Sequence, residues 1–168
     1  MINTDTPHQQ ISEEKAFARL ASLCSRAEHS SGEVLKKMRL WGLDDDASRR
    51  VLNRLTEERY VDDRRFCRIF VDEKLRLQRW GRHKIVHALR QKGVGADIYI
   101  PVIEAIDADL YEQELQQLLT AKRRTLHCEE HLMIQRLTLF ALNRGFTADE
   151  IRQCLSEDDD MTTDGNEE

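Results

Sequence analysis

Apolar residues along most of this 168-residue chain recur every three or four positions, which is the spacing of one face of an α-helix. In the stretch from 63 to 80, for example, Phe66, Ile69, Phe70 and Leu77 form such an apolar stripe. The chain has seven glycines and two prolines, too few to separate the many short strands of a sandwich or barrel. The pattern therefore predicts an all-α protein.

The same pattern surrounds three glycines, Gly42, Gly93 and Gly145, which are 51 and 52 residues apart. An aliphatic residue stands eight positions before each glycine, an apolar residue one position after it, and an aspartate four positions after it. Glycine adopts the left-handed backbone conformation without a Cβ clash, so each copy predicts a helix, a sharp turn and a second helix. Ser30 with Glu33 and Thr147 with Glu150 have the spacing of capping boxes at two helix starts.

A further helix precedes each of these helix pairs and completes a repeat of three helices. The predicted first helices are Glu13–Glu28, Asp63–Trp80 and Ala108–Thr125. The predicted repeats are residues 11–58, 59–107 and 108–155. A unit of about 50 residues has a marginal core by itself, so we expect the three repeats to stack into an elongated, curved body.

Two ends and one proline depart from the repeat. Residues 1–10 are polar and are predicted to be flexible. Residues 156–168 hold seven acidic residues, no basic one and no aromatic one, so we expect a disordered acidic tail. Pro101 falls inside a predicted helix of the second repeat, and that helix is therefore expected to start late or to kink.

The net charge of −5 averages over segments of opposite sign. The acidic tail contains seven of the acidic residues, whereas residues 59–95 contain eleven basic and four acidic residues. We call residues 59–95 the basic block. Its excess of positive charge could simply form a solvated face, but it is larger than solubility requires. The block therefore points to an anionic partner, either nucleic-acid phosphate or an acidic protein surface.

Candidate residues for this partner lie along two predicted helices of the basic block. Four arginines in the first of them are spaced by three, eight and three residues, which keeps them broadly on one side. Trp80 adjoins them and could belong to the core or to a partner contact. The candidate binding residues are Arg65, Arg68, Arg76, Arg79, Trp80, Arg82, Lys84, Arg90 and Lys92. No single helix presents the Asn, Gln and Arg cluster that reads base sequence.

Catalytic and metal chemistry find little support in the sequence. Two histidine pairs are spaced four residues apart, His83 with His87 and His127 with His131. Neither pair has the third or fourth ligand of a metal site, so we interpret all four as exposed helix histidines. Asp62 is interpreted as a helix cap, and Asp63 as a first-turn residue that complements the helix dipole. With no nucleotide-binding loop or nucleophile motif, we expect no enzyme activity, metal or cofactor.

Four cysteines, Cys24, Cys67, Cys128 and Cys154, form no C-x-x-C pair. They are predicted to be buried, reduced residues of a protein in a reducing compartment. No run of about 18 apolar residues and no basic segment followed by an apolar one are present, so we expect neither a membrane span nor a secretory signal. The expected location is cytoplasmic.

Several motifs resemble those of the RecX family of bacterial recombination regulators. Tyr60–Cys67 is similar to the family's tyrosine–aliphatic–Asp-Asp–phenylalanine signature, and Gly81–Val94 looks like its central helix. Ile134–Phe146 resembles its C-terminal unit, and Ser30–Met38 a motif near its start. The resemblance covers about residues 13–155. This sequence departs from the family pattern in Cys67, where alanine is common, in Pro101 and in the acidic tail.

The resemblance implies three tandem three-helix repeats and binding to the RecA recombinase. Family members lie in the groove of the RecA–single-stranded DNA filament, limit its growth and suppress its ATPase and strand exchange. A monomer with weak or indirect contact to the DNA, acting in recombinational repair and the SOS response, is then expected. Two alternatives remain: a helical protein that binds single-stranded DNA independently of RecA, and a generic helical scaffold.

Overall fold

The computed structural model describes the backbone of residues 11–163 and the side chains as far as Ser156. In this part of the chain the secondary structure consists of nine α-helices, without a strand. They are α1 (Glu13–Cys24), α2 (Ser31–Leu40), α3 (Asp45–Glu57), α4 (Asp63–Arg76), α5 (Arg82–Gln91), α6 (Ala96–Glu104), α7 (Ala108–Arg123), α8 (Glu130–Asn143) and α9 (Ala148–Thr163). None of the described helices is long and apolar enough to cross a bilayer. The all-α prediction is confirmed, with the helices in three consecutive trios.

The glycine turns have the predicted conformation in all three trios. The φ angles of Gly42, Gly93 and Gly145 are 81°, 74° and 94°, in the left-handed region. After each glycine, the next amide donates to the carbonyl five residues earlier at 3.1 to 3.2 Å, which is the long bond of a Schellman motif. Both predicted capping boxes are also present, at Ser30 and at Thr147.

The first helix of each trio ends earlier than predicted. α1 stops at Cys24, and the Ser25 hydroxyl at its C-terminal end donates to the Ala21 carbonyl at 2.7 Å. α4 stops at Arg76, and Arg79 just beyond it has a left-handed φ of 49°. The spacing of apolar residues does not show where such local hydrogen bonds and turns end a helix.

The apolar face of α4 differs from the predicted stripe. Phe66 and Phe70 are buried, but Ile69 is 49% exposed and Leu77 is 77% exposed. Val71, among others, completes the buried face. Phe66 and Phe70 are four residues apart and lie on one side of α4, whereas Ile69 projects from another side and Leu77 lies just beyond the last residue of the helix. The prediction for these two residues is wrong.

Two trios have well-defined cores of their own. In the first, α3 packs against both α1 and α2 around fully buried Leu20, Met38 and Leu55. In the third, α7, α8 and α9 pack against one another, with Leu119 and Leu137 fully buried. Burying each such side chain stabilises the fold by roughly 1.5–3 kcal/mol relative to leaving it exposed.

Residue contacts divide the chain into two compact units. The first unit comprises the chain up to Arg68 together with Leu89–Tyr99, and the second comprises Ile69–Ala88 together with the chain from Ile100. The division therefore passes through α4, α5 and α6. The repeat boundaries at residues 58 and 107 stay predictions.

Helix α6 begins at Ala96, five residues before Pro101, so of the two expected outcomes the late start is wrong, and the kink stays a prediction. The Gly95 carbonyl accepts the amides of Ile98 and Tyr99 at 3.1 Å, which forms the first turn normally. A proline at the sixth position of this nine-residue helix removes a single hydrogen-bond donor. The helix tolerates that loss.

The ends of the chain correct one prediction. α9 continues to Thr163, so residues 156–163 of the acidic tail are helical and not disordered as predicted. No glycine or proline interrupts this stretch, and each residue added to a formed helix gains a backbone hydrogen bond. Residues 164–168 and the N-terminal segment 1–10 lie outside the described residues.

The cysteines are free thiols, and Cys24, Cys67 and Cys154 are buried as predicted. Burial raises the pKa of Cys67 to about 11, so its thiol is protonated at neutral pH. Cys128 is only half-buried, which corrects the prediction for that residue.

Candidate functional site

The nine candidate binding residues divide between the two contact units. The first unit contains Arg65, Arg68, Arg90 and Lys92. The second unit contains Arg76, Arg79, Trp80, Arg82 and Lys84. Their surroundings, described unit by unit, separate side chains that hold the fold from side chains that face solvent.

Asp62 caps the start of α4, as the sequence predicted. Its carboxylate accepts the amides of Arg64 and Arg65, each at 3.0 Å. The Arg65 amide is the main reason why the pKa of Asp62 lies below its ordinary value. This carboxylate is therefore ionised at neutral pH, and its Oδ1 accepts both amides.

Asp63 serves a different helix from the one it begins. Its carboxylate accepts the Ser31 amide at 2.7 Å and also accepts the Ser31 hydroxyl. The Asp-Asp pair thus caps two helices, α4 through Asp62 and α2 through Asp63. Sequence reasoning had assigned Asp63 only to the dipole of its own helix.

Two cations of the first unit have internal partners. Arg65 Nε lies 2.7 Å from a Glu28 carboxylate oxygen, and Lys92 Nζ lies 2.5 Å from a Glu33 carboxylate oxygen. Partial burial acts to raise the pKa of Glu33, but the bonds from Lys92 and the Ser30 amide outweigh it and leave that pKa lowered. These contacts stabilise the fold and leave the two cations less available to a partner.

Arg64 and Arg68 differ from these cations, because both side chains are exposed. Neither has a carboxylate within 4 Å among residues 11–156. They are four residues apart on α4 and therefore lie on the same side of it. Arg64 also lines an open cleft of about 600 Å³, together with the exposed Arg59. Arg90, also exposed, donates to the Tyr99 hydroxyl at 2.9 Å.

In the second unit, Arg76 and Arg79 have acidic partners. Arg76 Nε lies 2.6 Å from the Asp72 carboxylate, an exposed pair one helical turn apart. Arg79 Nε lies 3.3 Å from the buried Glu114, and its guanidinium donates to Gln117 at 2.9 Å. Arg79 therefore compensates a buried carboxylate, and its loss would leave that charge without a partner.

Arg82 anchors the start of α5 within the second unit. Its guanidinium lies 3.7 Å from the ring centroid of Tyr111 and 3.2 Å from a Glu150 carboxylate oxygen. Its amide donates to the Tyr111 hydroxyl at 3.0 Å. Burial raises the pKa of Tyr111 to about 12, so the hydroxyl is neutral.

The sequence left open whether Trp80 belongs to the core or to a partner contact. Its side chain is half-buried, so it is neither a core residue nor a fully exposed one. Two ammonium groups lie over its indole ring, Lys74 at 5.5 Å and Lys84 at 4.7 Å from the centroid. Cation–π contacts at these distances are worth roughly 0.5–1 kcal/mol each. The tryptophan and the lysines thus form a cationic cluster on the second unit.

Sequence reasoning missed the places where a helix start meets a glycine turn. The start of α2 meets the Gly93 turn: Gly93 lies so close that a Cβ on it would be 2.8 Å from the Gly32 Cα. The start of α5 meets the Gly145 turn, where the Gly81 amide donates to the Arg144 carbonyl at 2.8 Å. We call these two contacts the glycine junctions. The sequence signal for them is a second glycine in each of the first two trios, Gly32 and Gly81, which stand ten and twelve residues before the turn glycine of their own trio.

The second glycine junction joins groups of helix ends that have no partner within their own helices. The first amides of a helix and the last carbonyls of a helix lack partners within their own helices. At the second junction the His83 amide also donates to the Gly145 carbonyl, at 3.2 Å. The cations Lys92 and Arg82 lie beside the two junctions. Of the basic block, Arg59, Arg64 and Arg68 are exposed and have no carboxylate within 4 Å among residues 11–156, so they are open to an anionic partner.

Comparisons with known proteins place these features in a family. A family profile described as "RecX, second three-helix domain" matches residues 62–99. The "Regulatory protein RecX" of Prosthecochloris aestuarii is 31% identical over 145 residues, which cover 85% of this chain and 93% of that protein. The protein of the same name from Clostridium tetani is 28% identical over 127 residues, covering 74% of this chain and 58% of that protein.

A solved structure supports the fold. The chain in "Crystal structure of regulatory protein RecX" superposes with a TM-score of 0.79 at 17% identity, covering 86% of this chain and 73% of that one. At this identity the likeness concerns the arrangement of helices. It agrees with the tandem three-helix architecture.

Proposed function

Because the chain belongs to the RecX family of regulatory proteins, we propose that it regulates the RecA recombinase. In this proposal it binds in the groove of the RecA–single-stranded DNA filament and limits filament growth, ATPase activity and strand exchange. It would act as a cytoplasmic monomer without catalytic activity of its own. The processes affected would be recombinational DNA repair and the SOS response.

The observation that carries this proposal is the 31% identity to a "Regulatory protein RecX" over 93% of that protein's length. Repeated helices also suit the task physically, because several outward faces can each make a weak contact with successive filament subunits. When the contacts are linked in one chain, the overall affinity exceeds that of any single contact. No deep pocket is needed for such binding.

We propose that cations of the basic block contact the filament, with Arg64 and Arg68 among the most available of them. Arg68, Arg76 and Arg90 are the most exposed arginines of the candidate set. Arg65, Arg79, Arg82 and Lys92 have internal ion pairs, and we assign to them the stabilisation of their own units. Trp80 and Lys84 would add an aromatic and cationic contact.

The test compares two ligands for the purified full chain by co-sedimentation at about 150 mM salt. One ligand is RecA assembled on single-stranded DNA with a slowly hydrolysed nucleotide, and the other is the same DNA alone. We expect retention on the filament and little on bare DNA, since phosphate binding alone is already weakened at this salt concentration. Equal retention on bare DNA would favour the RecA-independent alternative, and retention on neither would contradict the proposal.

A further inference from the structure

The second glycine junction brings the end of α8 against the start of α5, and both of these helix ends belong to the second contact unit. Two long side chains cross the junction. The Arg144 guanidinium donates to the Gln78 carbonyl at 2.8 Å, and Lys84 Nζ donates to the Asn143 carbonyl at 3.4 Å. Residues that are 66 and 59 positions apart in the sequence therefore lie side by side in the fold.

Two half-buried aromatic rings lie at this junction, and each has two cations beside it. The first ring is that of Trp80 with the two lysines described above. The second is the ring of Phe140, where Lys122 Nζ lies 5.0 Å and the Arg144 guanidinium 5.3 Å from the centroid. We call Trp80, Lys84, Lys122, Phe140 and Arg144 the aromatic–cation surface.

The cations of the aromatic–cation surface have no acidic partner inside the protein. Among residues 11–156, none of Lys84, Lys122 and Arg144 has a carboxylate within 4 Å. The bonds from Lys84 and Arg144 to backbone carbonyls hold these two side chains in place, but each group has further N–H donors. The surface therefore combines positioned aromatic rings with cations whose charge is not neutralised, unlike the nearby Arg82, which pairs with Glu150.

This combination fits one class of partner, single-stranded nucleic acid. Proteins that bind single strands stack the bases on aromatic side chains and contact the phosphates with lysines and arginines. Duplex DNA keeps its base faces stacked on one another, and an acidic protein surface supplies carboxylates without flat, base-sized groups.

We propose that the aromatic–cation surface binds single-stranded nucleic acid directly. Bases contact the rings of Trp80 and Phe140, and phosphates contact Lys84, Lys122 and Arg144. Such binding goes beyond the proposed function, in which the chain contacts a RecA filament and does not need to bind nucleic acid by itself.

The test is a fluorescence titration of the full chain carrying Trp41→Phe, which leaves Trp80 as the only tryptophan. The ligand is a single-stranded oligothymidylate of about 12 nucleotides at about 50 mM salt, and a duplex of the same length is the comparison. We expect the oligothymidylate to quench the Trp80 emission and to bind more tightly than the duplex. Three phosphate contacts give a log–log salt slope of about −2, so the affinity should fall about tenfold between 50 and 150 mM salt.

Two variants and a matched control locate the binding. Lys84→Gln combined with Lys122→Gln removes two phosphate contacts, so the salt slope should fall to about −0.7. Phe140→Leu keeps an apolar side chain but removes a stacking ring, so the affinity should fall at least about fivefold. Lys36→Gln combined with Lys37→Gln makes the same charge change on α2 and should bind like the parent protein. Circular dichroism should show the helicity of the parent for all of them.

The outcomes are distinguishable from those of the filament test. Absence of oligothymidylate binding at 50 mM salt would overturn this proposal and leave the proposed function standing. An equal loss in the control on α2 would show that the binding follows net charge and not the aromatic–cation surface. Equal affinity for the duplex, or for a polyglutamate peptide, would overturn the assignment to single strands.

Discussion

The basic residues beside the glycine junctions and those on the outer side of α4 have the same charge but different surroundings. Lys92 contacts Glu33, and Arg82 contacts Glu150. Each glutamate lies in the first turn of a helix that is packed in the same contact unit as its cation. Arg64 and Arg68 have no such partner among the described residues and face solvent. A count of charges along the sequence therefore combines two populations, one that holds helices in place and one that is available to a partner.

The largest expected effect comes from filling a glycine junction. Gly93→Ala forces a left-handed φ on alanine, which costs about 1–2 kcal/mol, and brings a Cβ to 2.8 Å from the Gly32 Cα, which adds roughly 1–3 kcal/mol. Gly42→Ala has the same left-handed φ at an exposed turn and is the matched control. We expect Gly93→Ala to lower the free energy of unfolding in urea by clearly more than Gly42→Ala. Equal losses would contradict the close approach at the first junction.

A smaller effect is expected from the ion pair beside that junction, and it depends on pH. The pKa of folded Glu33 lies below its ordinary value of 4.5, so its ionised form stabilises the fold above that value. This contribution, about 1 kcal/mol for a partly exposed pair, is lost as the pH falls below 4.5 through the lower folded-state pKa. Glu33→Gln should therefore be less stable than the wild type at pH 6, with the difference shrinking towards pH 3.

The control for this pH series is Glu57→Gln, which removes an exposed carboxylate at the end of α3. Its stability difference from the wild type should stay small at every pH. If the Glu33→Gln difference were constant from pH 3 to pH 6, the Lys92–Glu33 pair would not be the source of the stabilisation.

Local structure was largely predictable from the sequence, whereas contacts between distant segments were not. The three glycine turns follow from the conformational freedom of glycine and from the apolar residue after it, both of which are local properties. Gly32 and Gly93 are 61 positions apart, and no periodicity shows that they touch. Arg82 and Glu150 are 68 positions apart, so the internal role of Arg82 was hidden among the other cations of the basic block.

Helix α8 is a second case in which the sequence pattern does not show which residues are buried. The apolar residues of α8 are correctly predicted to be helical, but apolar spacing alone does not show which of them are buried. Leu137 is fully buried while Leu139 is mostly exposed. Residues two positions apart on a helix point to opposite sides of it, and which side faces α7 and α9 is a property of the tertiary arrangement.

The most direct test of the account uses the smallest structural change. Arg64→Glu combined with Arg68→Glu reverses two exposed charges without breaking an ion pair, so we expect the free energy of unfolding to stay within about 0.5 kcal/mol of the wild type. The matched control combines Arg49→Glu with Arg152→Glu, which reverses two exposed charges on α3 and α9 that have only surface partners.

The measurement is the inhibition of the DNA-dependent ATPase of RecA by each purified variant. We expect the concentration for half-inhibition to be at least about tenfold higher for the Arg64→Glu/Arg68→Glu variant, because an anionic surface repels the two introduced glutamates. The Arg49→Glu/Arg152→Glu protein should inhibit like the wild type. Full inhibition by the α4 variant would contradict the claim that the exposed cations of the basic block bind the filament.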